Sequence, residues 1–298
     1  MVKDKKLIAA IGNFDGVHLG HQYLLRETAA FAKQLGGQTG AVVFDPHPRR
    51  YFRPDDPPFL LTTPAQRDAL LKTHGAREIF SLHFDQALAS LTPEEFVRAV
   101  LKNRLALAGV AAGADFRFGK GRAGGGDMLR ALGAAVGLDV KLVEVLAENT
   151  QGEKFGSSAV RDALRAGEVR RAADMLGRTW SIGGRVVEGQ KLGRTLGFPT
   201  ANMTLGDLVE PRNGVYATRV NIDGAEYGAV SNFGRRPTVG ADAPLLETHL
   251  FDFTGDLYGQ EIEVAFVDFI RDEQKFDGLE ALQAQIAADC EKARDLLA

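Results

Sequence analysis

The 298-residue chain holds one cysteine, Cys290, and one tryptophan, Trp180. A single thiol cannot close an internal disulfide, and it lacks the companions of a zinc cluster. Disulfide-stapled classes are therefore excluded, and a cytoplasmic setting is expected. Long apolar runs are also missing. The run behind the basic N-terminus, Leu7 to Ile11, is too short for a signal peptide and ends in Gly12-Asn13. No stretch approaches the roughly 20 apolar residues of a membrane span. Charge of one sign is not in excess either: 36 Lys and Arg face 39 Asp and Glu, a net charge of −3. Bulk attraction to nucleic acid or an anionic membrane is absent, so neither is expected as a partner and any phosphate site must be local. What remains is an ordinary globular composition, 45% hydrophobic and 25% charged, long enough for two domains.

Up to about residue 178 the chain alternates strand-like and helix-like segments. Leu7 to Ile11 and Ala41 to Phe44 are continuous apolar runs, as in strands buried on both faces. Leu24, Thr28, Phe31 and Leu35 follow helical spacing and stop at Gly36-Gly37. Thr63-Pro64 and Thr92-Pro93-Glu94-Glu95 open two further helices. Glu78 to Phe84, Leu107 to Ala114 and Val140 to Val145 read as strands, with a helix from about Asp127. Repeated βα units imply a parallel sheet covered by helices. The pattern changes near Trp180. Ile182 to Val187, Val215 to Ile222, Tyr227 to Asn232, Leu246 to Phe253 and Ile262 to Ile270 read as strands without intervening helices, with Asp223-Gly224 as a hairpin turn. That pattern suggests an antiparallel sheet or small barrel. Leu279, Leu282, Ile286, Cys290, Ala293 and Leu297 form the apolar stripe of a closing helix, with Asp277 and Glu280 as its expected cap. The division falls at 1–179 and 180–298.

The sharpest motif is Gly12-Asn13-Phe14-Asp15-Gly16-Val17-His18-Leu19-Gly20-His21, between the first strand and the first helix. In a parallel sheet that is the ligand crevice, and a helix N-terminus there favours an anion. His18 and His21, three apart, share one side of the helix start. They suit stabilisation of charge on a reacting triphosphate, although a backbone-satisfied pair or half a metal site with His47 fits the same spacing. Ser157, Ser158 and Arg161 put hydroxyls and a guanidinium at another helix start, which reads either as a phosphate site or as a plain cap with a solvated arginine. Phe44-Asp45-Pro46-His47-Pro48, with Phe52 after it, and Asp115 to Arg122, with Phe118, bring aromatic and polar groups to one sheet edge. Gly189 to Asn202 is a glycine-rich basic loop, with Gln190 where a Walker A loop requires lysine. Thr200 and Asn202 in it offer the neutral oxygens that a phosphate-bound Mg²⁺ accepts, and a surface turn is the alternative. Glu247 is an acid inside an apolar strand, either a general base or an outward-facing residue.

Taken in order, Gly12 to His21, Phe44 to Pro48, Asp115 to Gly119, Ser157 to Arg161, Gly193 to Asn202, Asn213 to Tyr216, Ser231 to Thr238 and Glu247 to Phe253 resemble the bacterial bifunctional riboflavin kinase/FAD synthetase family across essentially the whole chain. The resemblance implies a Rossmann-like nucleotidyltransferase domain followed by a six-stranded antiparallel β-barrel with a terminal helix. It implies two reactions: riboflavin plus ATP gives FMN, and FMN plus ATP gives FAD and pyrophosphate. By the same likeness Glu247 is the kinase base, with Thr200 and Asn202 on Mg²⁺ and Lys191 and Gly193 on ATP. His18, His21, Asn13, Gly20, Ser157, Ser158 and Arg161 serve the adenylyl-transfer ATP. Phe44, Pro46, His47, Pro48, Phe52, Asp115 and Phe118 match flavin-side loops. The partners implied are riboflavin, FMN, FAD and ATP, with self-association possible. The likeness departs at Phe155-Gly156-Ser157, where the family has Ile-Ser-Ser; the lost hydroxyl bears on the strength of adenylyl transfer. Rival readings are a kinase that makes no FAD, a nucleotidyltransferase for another substrate, and a flavin- or nucleotide-binding regulator without catalysis.

Overall fold

The fold is taken from a computed structural model that describes residues 6–144, 156–188, 196–235 and 244–298. Contacts divide the chain into two compact units. Unit 1 comprises Met1–Asp56 and Pro64–Gly156, and unit 2 comprises Pro57–Thr63 and Ser157–Ala298.

Unit 1 is built on a five-stranded sheet: β1 (Leu7–Ile11), β2 (Gln38–Asp45), β3 (Glu78–His83), β4 (Gly109–Gly113) and β5 (Asp139–Val143). The order is β3-β2-β1-β4-β5, and every pairing is parallel. Val42, Ala9, Val110 and their neighbours are buried because helices cover the sheet, which is why the strand sequences do not alternate. The helices are α1 (Leu19–Gln34), α2 (Pro48–Phe52), α3 (Pro64–Thr73), α4 (Gln86–Ala89), α5 (Pro93–Glu95) and α6 (Gly126–Ala135). Thr92 and Glu95 form the expected capping box, and α5 continues as π-helical turns over Phe96–Arg104 that bury Phe96, Val97, Val100 and Leu101. The strand order reverses between β1 and β4. That switch point, at the carboxyl ends of the strands, is where doubly wound sheets bind ligands.

Unit 2 is a nearly closed antiparallel barrel of β6 (Ser181–Arg185), β7 (Ala201–Thr204), β8 (Gly214–Ile222), β9 (Ala225–Gly234), β10 (Leu245–Leu250) and β11 (Glu261–Arg271), in the order β6-β11-β8-β9-β10-β7. The outer strands approach closure where Val187 N–H donates to the Asn202 carbonyl at 2.8 Å. Asp223 (φ 49°) and Gly224 (φ 87°) make the left-handed turn expected between β8 and β9. Trp180, Tyr216, Phe233 and Phe266 fill the interior, where Thr218, Ser231 and Thr248 satisfy one another at 2.8 Å. Helices α7 (Ser157–Ala166) and α8 (Val169–Leu176) group with this unit, and α9 (Leu279–Leu297) packs on β8, β9 and β11. The segment Pro57–Thr63 also belongs here. Phe59 and Leu61 are fully buried, Arg161 Nε donates to the Phe59 carbonyl at 2.6 Å, and Trp180 Nε1 donates to the Leu61 carbonyl at 2.9 Å.

Four local expectations are corrected. Ala201–Thr204 is a strand and not a bend, because it pairs with β10. The strand expected through Phe253 ends at Leu250, since Asp252 takes a positive φ of 58° that breaks the ladder. Gly278, not Asp277, precedes α9, and Leu279 is 59% exposed and so lies off the buried stripe. The helix α7 starts at Ser157, so both serines sit in its first turn and neither is the residue preceding it.

Candidate active sites

In unit 1 the loop after β1 is locally strained. Phe14 and Val17 adopt φ of 53° and 41°, a region that non-glycine residues rarely occupy and that costs about 1–3 kcal/mol each. The loop delivers His18 to the position before α1 and His21 to its first turn. Their rings stack at 3.7 Å with an interplanar angle of 23°, and Phe14 packs against His21 at 5.1 Å. The His21 imidazole is held well below its usual range, first by burial and then by repulsion from His18, so it is neutral near pH 7. Asn13 is exposed and Gly20 half-buried at the same helix start. The metal alternative with His47 finds no support: His47 Nδ1 accepts from Arg49 N–H at 3.1 Å, and no group of three or more His, Cys, Asp or Glu among the described residues could hold a metal ion.

The residues expected on the flavin side lie at and beyond the carboxyl ends of β2 and β4. Phe44 and Phe118 are buried in one apolar cluster, with Phe116 stacked on Phe118 at 5.7 Å. Pro46, His47 and Pro48 lead into α2, whose Phe52 is 64% exposed, and Asp115 follows β4. Phe84 joins Phe44 (5.9 Å), Tyr51 (5.4 Å) and Phe52 (5.7 Å) in edge-to-face contacts. Tyr51 and Phe84 were not among the sequence candidates; of the two, Phe84 carried a signal, an aromatic directly after the end of β3. The glycine-rich loop after Phe118 closes on it: Phe118 and Gly124 exchange backbone hydrogen bonds of 3.2 and 2.9 Å, and a Cβ at Gly124 would stand 2.7 Å from the Phe118 ring.

Arg161 is not the solvated arginine of the plain-cap alternative. It is 8% exposed, stacks over the Phe59 ring at 5.5 Å and holds the Phe59 carbonyl. Lys191 and Gly193 lie outside the described residues.

In unit 2, Glu247 stands directly opposite Asn202 in the β10–β7 ladder and opposite Asn232 in the β10–β9 ladder. Directly opposed residues carry their side chains about 5 Å apart. Glu247, Asn202, Asn232 and Thr200 line one cavity of about 280 Å³, so Glu247 does not face open solvent. The lining mixes apolar residues, among them Phe198, Phe276 and Ile286, with polar ones, among them Arg271, Glu273 and Asp289. His249 lies two residues along on the Glu247 face, and its Nδ1 bonds the Pro199 carbonyl at 2.9 Å. Asn202 is 3% exposed, and its Oδ1 is buried without a hydrogen-bond partner among the described residues. A buried orphan oxygen in a cavity that Thr200 also lines fits Mg²⁺, which keeps few protein ligands and takes the rest from phosphates and water. Sequence reasoning missed Asn232, Arg271, Glu273 and Asp289 in this cavity. Asn232 carried the signal Glu247 did, a polar residue in an apolar strand.

A doubly wound sheet with an imidazole pair at its switch point, and a barrel with a carboxylate opposite an orphan asparagine oxygen, define a two-unit enzyme of phosphate-group transfer. The FAD synthetase family profile matches residues 1–159 and the riboflavin kinase profile residues 176–297. The bifunctional riboflavin kinase/FMN adenylyltransferase of Pseudomonas fluorescens is 41% identical over 98% of this chain and 93% of its own length. The protein of the same name from Escherichia coli K12 is 38% identical, over 97% and 92%. A crystal structure of a Streptococcus pneumoniae protein, described as a macrolide-efflux protein, aligns with a TM-score of 0.87 at 31% identity, covering 98% of this chain and 95% of that one. The chain belongs to the bifunctional riboflavin kinase/FMN adenylyltransferase family. Among the described residues no helix is long and apolar enough to cross a membrane.

Proposed function

We propose that residues 180–298 phosphorylate riboflavin with ATP, giving FMN and ADP, and that residues 1–179 transfer an adenylyl group from a second ATP to FMN, giving FAD and pyrophosphate. The observation that carries this reading is the Glu247–Asn202 register pair with Thr200 in a single cavity of mixed lining. A lining that joins aromatic and aliphatic residues to a carboxylate and amides suits a planar ring together with a phosphate-bearing reaction.

In the kinase step Glu247 takes the proton of the ribityl 5′-hydroxyl as its oxygen attacks the γ-phosphorus and the bond to ADP breaks. Thr200 and Asn202 would hold Mg²⁺, which neutralises charge on the phosphate oxygens. In the adenylyl step the FMN phosphate is already anionic, so no base is needed. An FMN oxygen attacks the α-phosphorus and pyrophosphate departs. His18 and His21 offer imidazole N–H groups to the developing charge, with Asn13 and Gly20 at the same helix start. An arriving triphosphate itself favours protonation of His21, countering the effect of burial. A phosphate role for Ser157, Ser158 and Arg161 rests on their chemistry at a helix start, and those for Lys191 and Gly193 rest on resemblance. The flavin-side role of Phe44, Pro46, His47, Pro48, Phe52, Asp115 and Phe118 is supported by their shared sheet edge. The lone Cys290 supports a cytoplasmic setting.

The test is a chromatographic time course with riboflavin, ATP and Mg²⁺. FMN should appear first and FAD after it, with ADP and pyrophosphate as the separate co-products. FMN without FAD would leave only the kinase half of the reading, and no flavin turnover would sink both.

A further inference from the structure

Catalytic histidines are ordinarily oriented by a hydrogen bond through the ring nitrogen that does not face the substrate. His21 lacks that device. Its Nδ1 is buried with no hydrogen-bond partner among the described residues. What surrounds the ring is packing. The His18 imidazole covers it at 3.7 Å, and the Phe14 ring packs against it at 5.1 Å, tilted by 54°. Phe14 is fully buried and holds a left-handed φ of 53°, a backbone conformation that costs free energy and points to a positional requirement. The strained backbone places a large apolar ring against an imidazole whose Nδ1 has no hydrogen-bond partner among the described residues.

We propose that Phe14 is a positioning residue for His21 in adenylyl transfer, an inference that rests on the role read above for His21. Phe14 does two things there. It fixes the imidazole plane, since a ring packed on two sides has few rotamers open to it. It also excludes water from the imidazole, which keeps the ring neutral until a phosphate arrives. Of the nearby titratable groups, His18 stacks on His21 and acts on it electrostatically, and Asp15 is buried in the same loop.

The experiment compares Phe14→Leu and Phe14→Met with His21→Ala in the full chain, measuring FMN adenylylation from pH 5 to 9. His21→Ala should abolish FAD formation and remove one limb of the kcat/KM profile. The Phe14 variants should lower kcat roughly 10- to 100-fold, as a misplaced catalytic group does, and move that same limb to higher pH. FMN formation from riboflavin should be unchanged in all three. An unaltered rate, or a lower rate with the limb unmoved, overturns the inference while leaving His21 in place; full FAD formation by His21→Ala overturns the underlying reading instead. If neither Phe14 variant keeps the amide spectrum of the β1–β4 strands, imidazole ¹⁵N spectra of the wild-type chain decide. A His21 ring with no protected Nδ1–H signal supports orientation by packing, and a slowly exchanging, low-field Nδ1–H overturns it.

Discussion

At the scale of single residues, the two sites differ in how legible they were. Glu247 and the histidine pair could be picked out because each is a chemical exception to its setting, an acid in an apolar strand and two imidazoles at a glycine-rich helix start. Phe14 could not, because a phenylalanine beside a strand reads as core. Its positive φ and its contact with His21 are properties of the folded backbone alone. The burial that makes Phe14 unremarkable also sets a pH dependence. His21 has an ordinary value of 6.5 and is held well below it in the folded chain. Between those two values the unfolded chain binds a proton that the folded chain refuses. The associated stability is therefore complete above about pH 6.5 and is lost as pH falls from there toward the folded value. Hydrogen-exchange protection of the β1 and β4 amides should fall more steeply between pH 6.5 and 5 in the wild type than in His21→Gln. Parallel slopes in the two chains would exclude His21 as the source.

At the scale of elements, helix starts and strand runs were readable because their signals are local. Thr92-Pro93-Glu94-Glu95 caps its helix with its own side chains, and Asp223-Gly224 closes its hairpin without distant help. The strand β7 was missed because its four residues owe their conformation to pairing with β10, which sequence does not display. The role of Asp289 was hidden likewise. It sits one position before Cys290 on α9, is 4% exposed, and meets Arg271 of β11 through three contacts of 2.7–3.1 Å, with Gln285 adding a fourth at 3.0 Å. Removing the carboxylate strands a partly buried guanidinium. Asp289→Ala should cost about 3 kcal/mol, read as a lower urea midpoint by the fluorescence of Trp180, which is buried in the barrel. An unshifted midpoint would mean that the pair does not tie α9 to the barrel. The start of α7 offers the opposite kind of change. A Cβ at Gly156 would meet nothing within 4 Å, and its φ is not left-handed. Gly156→Ser should fold normally and, by supplying the hydroxyl that the resemblance implies there, raise the FMN adenylylation rate by about 10- to 100-fold, the value of one hydrogen bond to a charged group. A rate equal to wild type would remove that hydroxyl from the account.

At the scale of the whole molecule, element type alone divides the chain near residue 180, whereas contacts place Pro57–Thr63 and α7–α8 with the barrel. No local signal could reveal this. Phe59 and Leu61 look like any apolar pair, and only their carbonyls, held by Arg161 and Trp180, show where they belong. The residues read as catalytic still fall in different units, although Ser157, Ser158 and Arg161, read for the adenylyl step, group with unit 2. The carboxylate, threonine and asparagine read as the kinase set line one cavity in unit 2, while the imidazole pair lies in unit 1. If the product of the first reaction reaches the second through solvent, one chain can supply each activity. Glu247→Gln should slow FMN formation by about 10²–10⁴, the usual contribution of a general base, and leave adenylylation of added FMN intact. His21→Ala should show the reverse pattern. Neither alone converts riboflavin to FAD at an appreciable rate, but an equimolar mixture should, with a lag that shortens as protein concentration rises, because free FMN must first accumulate. A mixture that accumulates FMN yet yields no FAD, while Glu247→Gln still adenylylates added FMN, would show that the second centre draws its substrate only from the chain that made it.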